Sequence, residues 1–383
     1  MDFAFTAAEL AFAAEARAWL GANLPPAWRR DHCWTRADDA AWLDVARDWQ
    51  RMLFEGGWAA IAWPRAHGGR GATVIERWLF DQELDAVGAP RPAAASSVDL
   101  IGPAILHHGT AAQRDRFLRP LLSGSELWCQ GFSEPGAGSD LASLRTRAER
   151  RGGTFVVTGQ KVWTSHADIA DWCFLLCRTE PDAAKHAGLS LLLVDMRSPG
   201  ITVRPLRQMN GEAEFSEVFF DGVEVGEDRL VGAAGAGWQI AMGILAHERG
   251  PVWTFTFQRR IRRSLGELIR SARDRGALRD PVVRQRLAQA HIEVELLRLV
   301  GYRSLTRLLR TGRPGAESSV EKVLGSETDQ RLQELAMDVA GPYGLVPGEF
   351  GQAWLYSRSE TIMGGTSEIQ RNVIATRILG LPR

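Results

Sequence analysis

The sequence predicts an α+β multidomain protein in which a helical domain, an antiparallel β-sheet or barrel, and a helical bundle follow one another. Three observations support this order: helical periodicity in the first third, short strands separated by turn residues in the middle, and long amphipathic stretches in the last third. At about 100 to 200 residues per domain, 383 residues suit two or three domains. We predict domain boundaries at 1–122, 123–231 and 232–383.

Each part of the chain has its own pattern of apolar residues. In the first third they recur three and four positions apart, which predicts helices over 8–20, 40–54, 76–87 and 111–121. Runs rich in β-branched and aromatic residues predict strands over 154–158, 172–177, 189–194, 201–204 and 217–220. The last third predicts four long helices, typical of a bundle, over 252–275, 281–309, 318–339 and 366–379.

Composition excludes several classes of protein. The 46 basic and 46 acidic side chains balance, which argues against a nucleic-acid binder. The first twenty residues lack the pattern of a secretory signal, and no apolar run approaches the roughly 18 residues of a membrane span. The four cysteines have no metal-site spacing, and His247-Glu248 lacks a second His at position 251. We therefore expect a soluble cytoplasmic enzyme without a metal.

Three segments are candidates for chemistry. Residues 129–140 (CQGFSEPGAGSD) contain three glycines and a proline, which leave backbone N–H groups uncovered and suit a phosphate or the polar edge of a heterocycle. Residues 159–166 (GQKVWTSH) place Trp163 and Ser165 where they can meet an aromatic cofactor. In residues 362–380, Gly364-Gly365 precedes Thr366 or Ser367 as a helix cap. The simpler alternatives are an interdomain turn, a core Trp and a plain helix cap.

Together, the signatures EPGAGSD, GQKVWTS and GGTSEIQRNVIATRILG resemble the acyl-CoA dehydrogenase family of flavoproteins. The resemblance covers essentially the whole chain. It is closest to actinobacterial-type members, some of which act on fatty acyl or steroid side-chain thioesters. It implies an N-terminal helical domain, a middle antiparallel β-barrel and a C-terminal four-helix bundle, with FAD extended between barrel and bundle and reaching a neighbouring subunit.

The same resemblance implies how individual residues would bind FAD. Gln130, Phe132 and Ser133 would edge the isoalloxazine ring, and Ser139 would lie near the pyrophosphate or the substrate. Trp163 would pack against the ring, and Ser165 would approach its N5 atom. Thr366 and Glu368 would contact FAD from the C-terminal loop.

The implied reaction is α,β-dehydrogenation of an acyl thioester, in which a base removes the α-proton while the β-hydrogen leaves as hydride to flavin N5. Many family members carry the base immediately before the Gly-Thr of the last motif, but this position is Gly364. A subgroup that includes isovaleryl- and long-chain acyl-CoA dehydrogenases carries its base before an Arg on the first long bundle helix. His247-Glu248-Arg249 matches that pattern, with Glu248 as base and Arg249 orienting it. The Gly364 N–H would still donate to the thioester carbonyl.

Two features leave the assembly and the substrate open. Residues 270–289 contain no Phe, so the Arg-x-x-Phe-Gly segment that reaches a partner's FAD in many relatives is altered. Homo- or heterotetramers or dimers are therefore alternatives, as are an FAD-completing subunit and a flavin-dependent oxidase or monooxygenase on the same fold. Trp253, Phe255 and Phe257 either shape the acyl pocket or belong to the bundle core. The implied partners are an acyl-CoA or acyl-carrier thioester and an electron-transfer flavoprotein or similar acceptor.

Overall fold

The structure is a computed structural model. It describes residues 5–29, 41–248, 251–312, 315–346 and 348–382, with side chains described except at 246–254 and 349. The chain divides into two compact units, Met1–Gln208 with Glu212–Leu245 and Met209–Gly211 with Ala246–Arg383. Each unit contains its own hydrophobic core.

The first unit begins with helices. Helices α1, α3 and α6 each start with a capping box, in which a Thr side chain accepts the third backbone N–H and a Glu or Gln reaches back to the Thr N–H. The four predicted helices are present, and two short helices were not predicted. The bounds are α1 (Ala7–Asn23), α2 (Trp42–Glu55), α3 (Val74–Ala86), α4 (Ala95–Asp99), α5 (Ile101–His108) and α6 (Ala111–Ser123).

Within the described residues, eight strands form one sheet after the helices. Its strand order is β6-β7-β3-β2-β4-β5-β8, and β1 pairs with β4. The pairs are antiparallel except for β1 with β4 and a single residue pair between β2 and β4. The bounds are β1 (Trp128–Gly131), β2 (Arg147–Arg151), β3 (Thr154–Ser165), β4 (Trp172–Arg178), β5 (Leu189–Asp195), β6 (Ile201–Leu206), β7 (Phe215–Gly226) and β8 (Leu230–Val231).

An aromatic cluster joins α6 to β1 and β4. The Phe117 ring meets Trp128 edge-on at 5.4 Å and Trp172 at 5.0 Å between ring centroids. The next residues of β1 lie close to β4 as well, because a Cβ added at Gly131 would lie 2.7 Å from Cys173 Sγ. This packing fixes where β1 ends and the Gly-rich loop begins.

The second unit is a helical bundle. Helix α10 packs against α8, α9, α11 and α12, and the core consists mainly of aliphatic side chains from α8, α9 and α10. A further helix, α7 (Gly237–Glu248), precedes it along the chain. The bounds are α8 (Pro251–Asp274), α9 (Pro281–Thr311), α10 (Ser318–Ala340), α11 (Glu349–Glu360) and α12 (Ser367–Val373).

The last predicted bundle helix, 366–379, is present as α12 (Ser367–Val373) and one π-helical turn, Ile374–Ile378, that continues it directly. The helix after α10 is α11, which the periodicity did not reveal because Gly351 and six polar residues interrupt its apolar pattern. The predicted order of three parts is nevertheless confirmed. Among the described residues, no helix is long and apolar enough to cross a membrane.

Candidate functional site

The first segment of the candidate site follows β1. Gln130 and Ser133 are half-buried, whereas the Phe132 ring is buried and meets Phe174 edge-on at 5.7 Å between centroids. Phe132 therefore belongs to the core. Its backbone, rather than its ring, is available to contact a ligand. The Ser133 carbonyl accepts a hydrogen bond from Val162 N at 2.9 Å, which ties this segment to β3.

The Gly-rich loop then turns tightly. Two backbone hydrogen bonds of 3.0 and 3.1 Å join Glu134 and Ala137. A Cβ at Gly136 or Gly138 would meet no atom within 4 Å, so the backbone here is uncovered on one side. Ser139 is exposed. This loop leaves room for a bound group beside bare backbone, as the sequence predicts.

Trp163 is the most unusual residue of this segment. Its φ angle is +59°, in the left-handed region that β-branched and bulky residues rarely adopt. It lies at a register shift between β3 and β7, and 60% of the residue is exposed. Its described ring neighbour is Phe215, edge-on at 6.0 Å. Because bulges often redirect a side chain beside an active site, the interpretation as a core Trp is wrong.

The end of β3 carries further polar groups. Ser165 is half-buried and pairs with Phe215. His166 also has a positive φ of 55°, so two left-handed residues flank Thr164 and Ser165. The hydroxyls of Thr164 and Ser216 are buried with no hydrogen-bond partner among the described residues. Strained backbone and unsatisfied buried hydroxyls concentrate at functional sites, which fits a bound group at this strand end.

The second unit contains the turn between α11 and α12. Gly364 and Gly365 both adopt left-handed φ angles, 64° and 92°, which only glycine tolerates well. Gln370, which is fully buried, donates from Nε2 to the Gly364 carbonyl at 3.2 Å and the Gly365 carbonyl at 3.4 Å. Thr366 caps α12 by accepting from Ile369 N at 3.2 Å.

This arrangement presents backbone donors. In a trans peptide the N–H points opposite to the carbonyl, so the N–H groups of Gly365 and Thr366 point away from Gln370. Together with the Gly364 N–H, they make no hydrogen bond within the described part of the chain. The Oγ of Ser367 and Oε1 of Gln370 are likewise buried without a partner there. The turn is therefore chemically suited to a carbonyl or anionic oxygen.

Buried charges hold the start of this turn. Lys322 Nζ donates to the Glu360 carbonyl at 2.6 Å, and Gln330 Nε2 donates to Thr361 Oγ1 at 3.0 Å. The Glu360 carboxylate accepts from Arg260 at 2.6 Å. Burial raises the pKa of Glu360, although the Arg260 guanidinium opposes that effect. The last residue of α11 is thus fixed through both its backbone and its side chain.

Glu368 is exposed at the start of α12. Its own backbone N–H and the Thr366 side chain stabilise the ionised form and hold its pKa below the usual value. It remains an anion at neutral pH. An exposed anion there is suited to contact the polar part of a ligand rather than to abstract a proton.

The two remaining site residues lie outside what the structure describes in detail. Glu248 is the last residue of α7, its side chain is not described, and Arg249 lies outside the described residues.

Phe255 and Phe257 lie on α8, a separate helix, and both are buried. Phe257 belongs to the bundle core, which favours the core alternative for this aromatic pair, whereas the side chain of Trp253 lies outside what the structure describes.

Sequence reasoning missed three residues that organise these segments: Glu134, Lys161 and Gln370. All three lie inside the motifs that the sequence singled out. Lys161 is fully buried and binds Glu134 from the neighbouring motif at 2.9 Å. The sequence signal that could have revealed Lys161 and Glu134 is a lysine within a strand and an acid within a Gly-rich loop. Among the described residues, no group of three or more His, Cys, Asp or Glu is arranged to hold a metal ion.

Comparison with known proteins defines the class. Residues 6–125 match the acyl-CoA dehydrogenase N-terminal domain, residues 129–223 the middle domain and residues 235–379 the C-terminal domain. The chain therefore belongs to the acyl-CoA dehydrogenase family, whose members are flavoproteins that use FAD, and it is an oxidoreductase acting on acyl-CoA. The predicted family and fold are confirmed.

Several similar proteins come from mycobacteria. The acyl-CoA dehydrogenase IpdE1 of Mycobacterium tuberculosis is 41% identical over 386 residues, which cover 97% of each chain. A solved structure named Tcur3481-Tcur3483 steroid ACAD has a TM-score of 0.84 and 31% identity, with both chains covered in full. The ChsE4-ChsE5 complex from M. tuberculosis has a TM-score of 0.80 and 30% identity, also over both full chains.

Proposed function

We propose that this protein catalyses FAD-dependent α,β-dehydrogenation of an acyl-CoA thioester, with Glu248 as the base. The observation that carries the proposal is the turn at Gly364–Thr366, where three consecutive backbone N–H groups are left without partners in the described chain. A thioester α-proton is weakly acidic, so its removal requires donors that stabilise the negative charge developing on the carbonyl oxygen. In this proposal the Gly364 N–H donates to that oxygen.

The position of the base follows from what residue 364 lacks. A glycine there supplies a backbone donor but no carboxylate, so the proton must pass to another group. Glu248 is followed by Arg249 and lies in the pattern that resembles the isovaleryl- and long-chain subgroup. Arg249 orients the carboxylate.

FAD, when bound, accepts the β-hydrogen as hydride at its N5 atom. The exposed Trp163 ring offers a flat apolar face for the isoalloxazine, and Ser165 offers a hydroxyl close by in the chain. Gln130 and the backbone of Phe132 and Ser133 would hold the ring's polar edge. Further polar contacts would come from Ser139, in the Gly-rich loop, and from Thr366 with Glu368, in the C-terminal turn.

Exchange of Glu248 for Gln tests the base directly. Glu248→Gln should retain one FAD per chain and an unchanged visible flavin spectrum, and it should lose flavin bleaching by acyl-CoA. Glu149→Gln is the matched control, because Glu149 is a surface carboxylate paired with Arg151. Wild-type turnover by the Glu248 variant would overturn the assignment.

A second variant tests whether the base can return to the C-terminal turn. A Cβ at Gly364 would meet no atom within 4 Å, so a side chain fits sterically although the φ angle is unfavourable. We expect Glu248→Gln/Gly364→Glu to recover bleaching at no more than about a tenth of the wild-type rate, because any side chain at 364 also strains the left-handed backbone and shifts its donor. No recovery, with FAD still bound, would show that a carboxylate at 364 does not reach the substrate's α-carbon.

We propose a steroid-derived acyl-CoA as the substrate class. The support is similarity across the full chain to the solved structure named a steroid ACAD, at 31% identity. A panel of straight-chain, branched and steroid-derived acyl-CoA thioesters, with an acyl-carrier thioester included, tests this through anaerobic bleaching. Preference for a straight-chain substrate by more than tenfold in kcat/KM would reject it. Reoxidation by an electron-transfer flavoprotein rather than oxygen separates a dehydrogenase from an oxidase or monooxygenase.

We also propose that the chain assembles with a second acyl-CoA dehydrogenase-like chain. Two similar solved structures are named as pairs of chains. Helix α9 carries Ile292, Leu296 and Leu299, each about half exposed and three to four positions apart, which forms an apolar stripe on one face. Mass measurement of the chain alone and co-expressed with its partner tests this. One FAD per chain in a stable homo-oligomer would reject both the mixed assembly and a purely FAD-completing role.

A further inference from the structure

A buried ion pair connects β3 to the segment that follows β1. Lys161 is fully buried on β3, and its Nζ donates to Glu134 Oε1 at 2.9 Å and to the Phe132 carbonyl at 2.9 Å. It is one of three lysines in a chain whose other basic residues are Arg. The compact ammonium reaches two acceptors on one loop, which a planar guanidinium would not do in the same space.

Glu134 is saturated with donors. Oε1 accepts from Thr146 N at 2.8 Å as well as from Lys161, and Oε2 accepts from Arg145 N at 2.7 Å. Burial alone would raise the pKa of Glu134, but the Lys161 ammonium and these donors outweigh burial and keep the pKa below its usual value. Burial also lowers the pKa of Lys161, and Glu134 opposes that effect.

The Lys161–Glu134 pair determines which way the peptide group between Phe132 and Ser133 points. Because the Phe132 carbonyl faces Lys161, the N–H of Ser133 in the same trans peptide points the opposite way. That N–H has no hydrogen-bond partner within the described chain. The Ser133 carbonyl is held separately by Val162 N at 2.9 Å. Both peptides that flank Ser133 are therefore fixed from the β3 side, and a bare donor points away from it.

We propose that the Lys161–Glu134 pair is a positioning device that aims the Ser133 N–H at the polar edge of the flavin and thereby raises the flavin's reduction potential. The inference rests on the proposed function, because it requires FAD at this segment. A donor at that edge stabilises the reduced flavin more than the oxidised flavin, since reduction increases the negative charge there. Lys161 acts through the peptide and is a positioning residue, not a catalytic one.

Three variants separate an effect on the direction of the Ser133 N–H from an effect on folding. Lys161→Met leaves Glu134 as a buried charge without its cation, which is a destabilising change. Lys161→Met/Glu134→Gln removes both charges, and the Gln side chain retains one carbonyl oxygen, which can accept from the N–H of Arg145 or of Thr146. Lys185→Met is the matched control, because Lys185 pairs with Asp140 at 2.6 Å on the same loop but in an exposed position.

The measurements are the midpoint potential of bound FAD and its dissociation constant in each holoenzyme. We expect the double variant to fold, to bind FAD roughly tenfold more weakly and to have a lower potential, since one well-aimed hydrogen bond is lost. Lys185→Met should match the wild type in both. A double variant with wild-type potential and affinity would overturn the inference. Wild-type protein that binds no FAD would instead overturn the proposed function, and the inference with it.

Discussion

Trp163 allows the most detailed prediction, because its effect on the stability of the apoprotein can be measured separately from its effect on FAD binding. Its left-handed φ of 59° costs on the order of 1 to 2 kcal/mol, which a glycine would relieve. Glycine adds about 0.5 to 1 kcal/mol of unfolded-state entropy. The ring contact with Phe215 contributes about 0.5 to 1.5 kcal/mol. These terms nearly cancel, so Trp163→Gly should leave apoprotein stability within about 1 kcal/mol of the wild type.

The same change should weaken FAD binding strongly. Loss of an aromatic face stacked against a heterocycle such as the isoalloxazine removes about 1 to 3 kcal/mol, or roughly 5- to 150-fold in the dissociation constant. Urea unfolding of the apoprotein and fluorescence titration with FAD measure the two effects. Trp163→Phe should keep most of the affinity, and Trp49→Ala, at a fully buried Trp, should cost about 3 to 5 kcal/mol of stability. A large stability loss with unchanged FAD affinity in Trp163→Gly would refute the reasoning.

Three further predictions concern the turn, the aromatic cluster and pH. Gly364→Ala should retain FAD but lower kcat at least tenfold. An alanine in the left-handed region costs on the order of 1 to 2 kcal/mol and shifts the backbone N–H donor. Stopped-flow measurement of flavin bleaching tests this. Phe117→Ala should lower the free energy of unfolding by about 3 to 5 kcal/mol, since the ring is buried between two Trp rings; urea titration checks it. The lowered pKa of Glu134 stabilises the fold above the usual carboxyl pKa of about 4.3, and that contribution is lost as pH falls below it. The acid limb of a stability–pH curve should therefore be shallower in Glu134→Gln.

The sequence predicted the order of the three parts because periodicities of 3.6 and 2 extend over long segments there. It missed β1, where four residues pair with a strand 44 positions away along the chain in register Trp128–Trp172 to Gly131–Leu175. Helices α4 and α5 are too short to show a period. The long helix expected over 366–379 has the right pattern, but α12 gives way to a π-helical turn after Val373.

The motifs located the candidate site, but not the roles of the residues within it. A strand Trp is usually buried, and only the register shift between β3 and β7 reveals that Trp163 is exposed. The burial of Lys161 depends on Glu134, 27 residues earlier, and Gln370 becomes a positioning residue only once its amide meets two glycine carbonyls. These roles arise from tertiary contacts, which the spacing within each motif does not encode.

The most direct test is anaerobic mixing of the FAD-loaded wild-type protein with an acyl-CoA deuterated at the β-carbon. We expect flavin bleaching, a slower rate with the deuterated substrate, and one equivalent of α,β-unsaturated thioester per FAD. We also expect Glu248→Gln to bind the same thioester without bleaching. Unchanged bleaching in that variant, or bleaching without the unsaturated product, would contradict dehydrogenation by a Glu248 base.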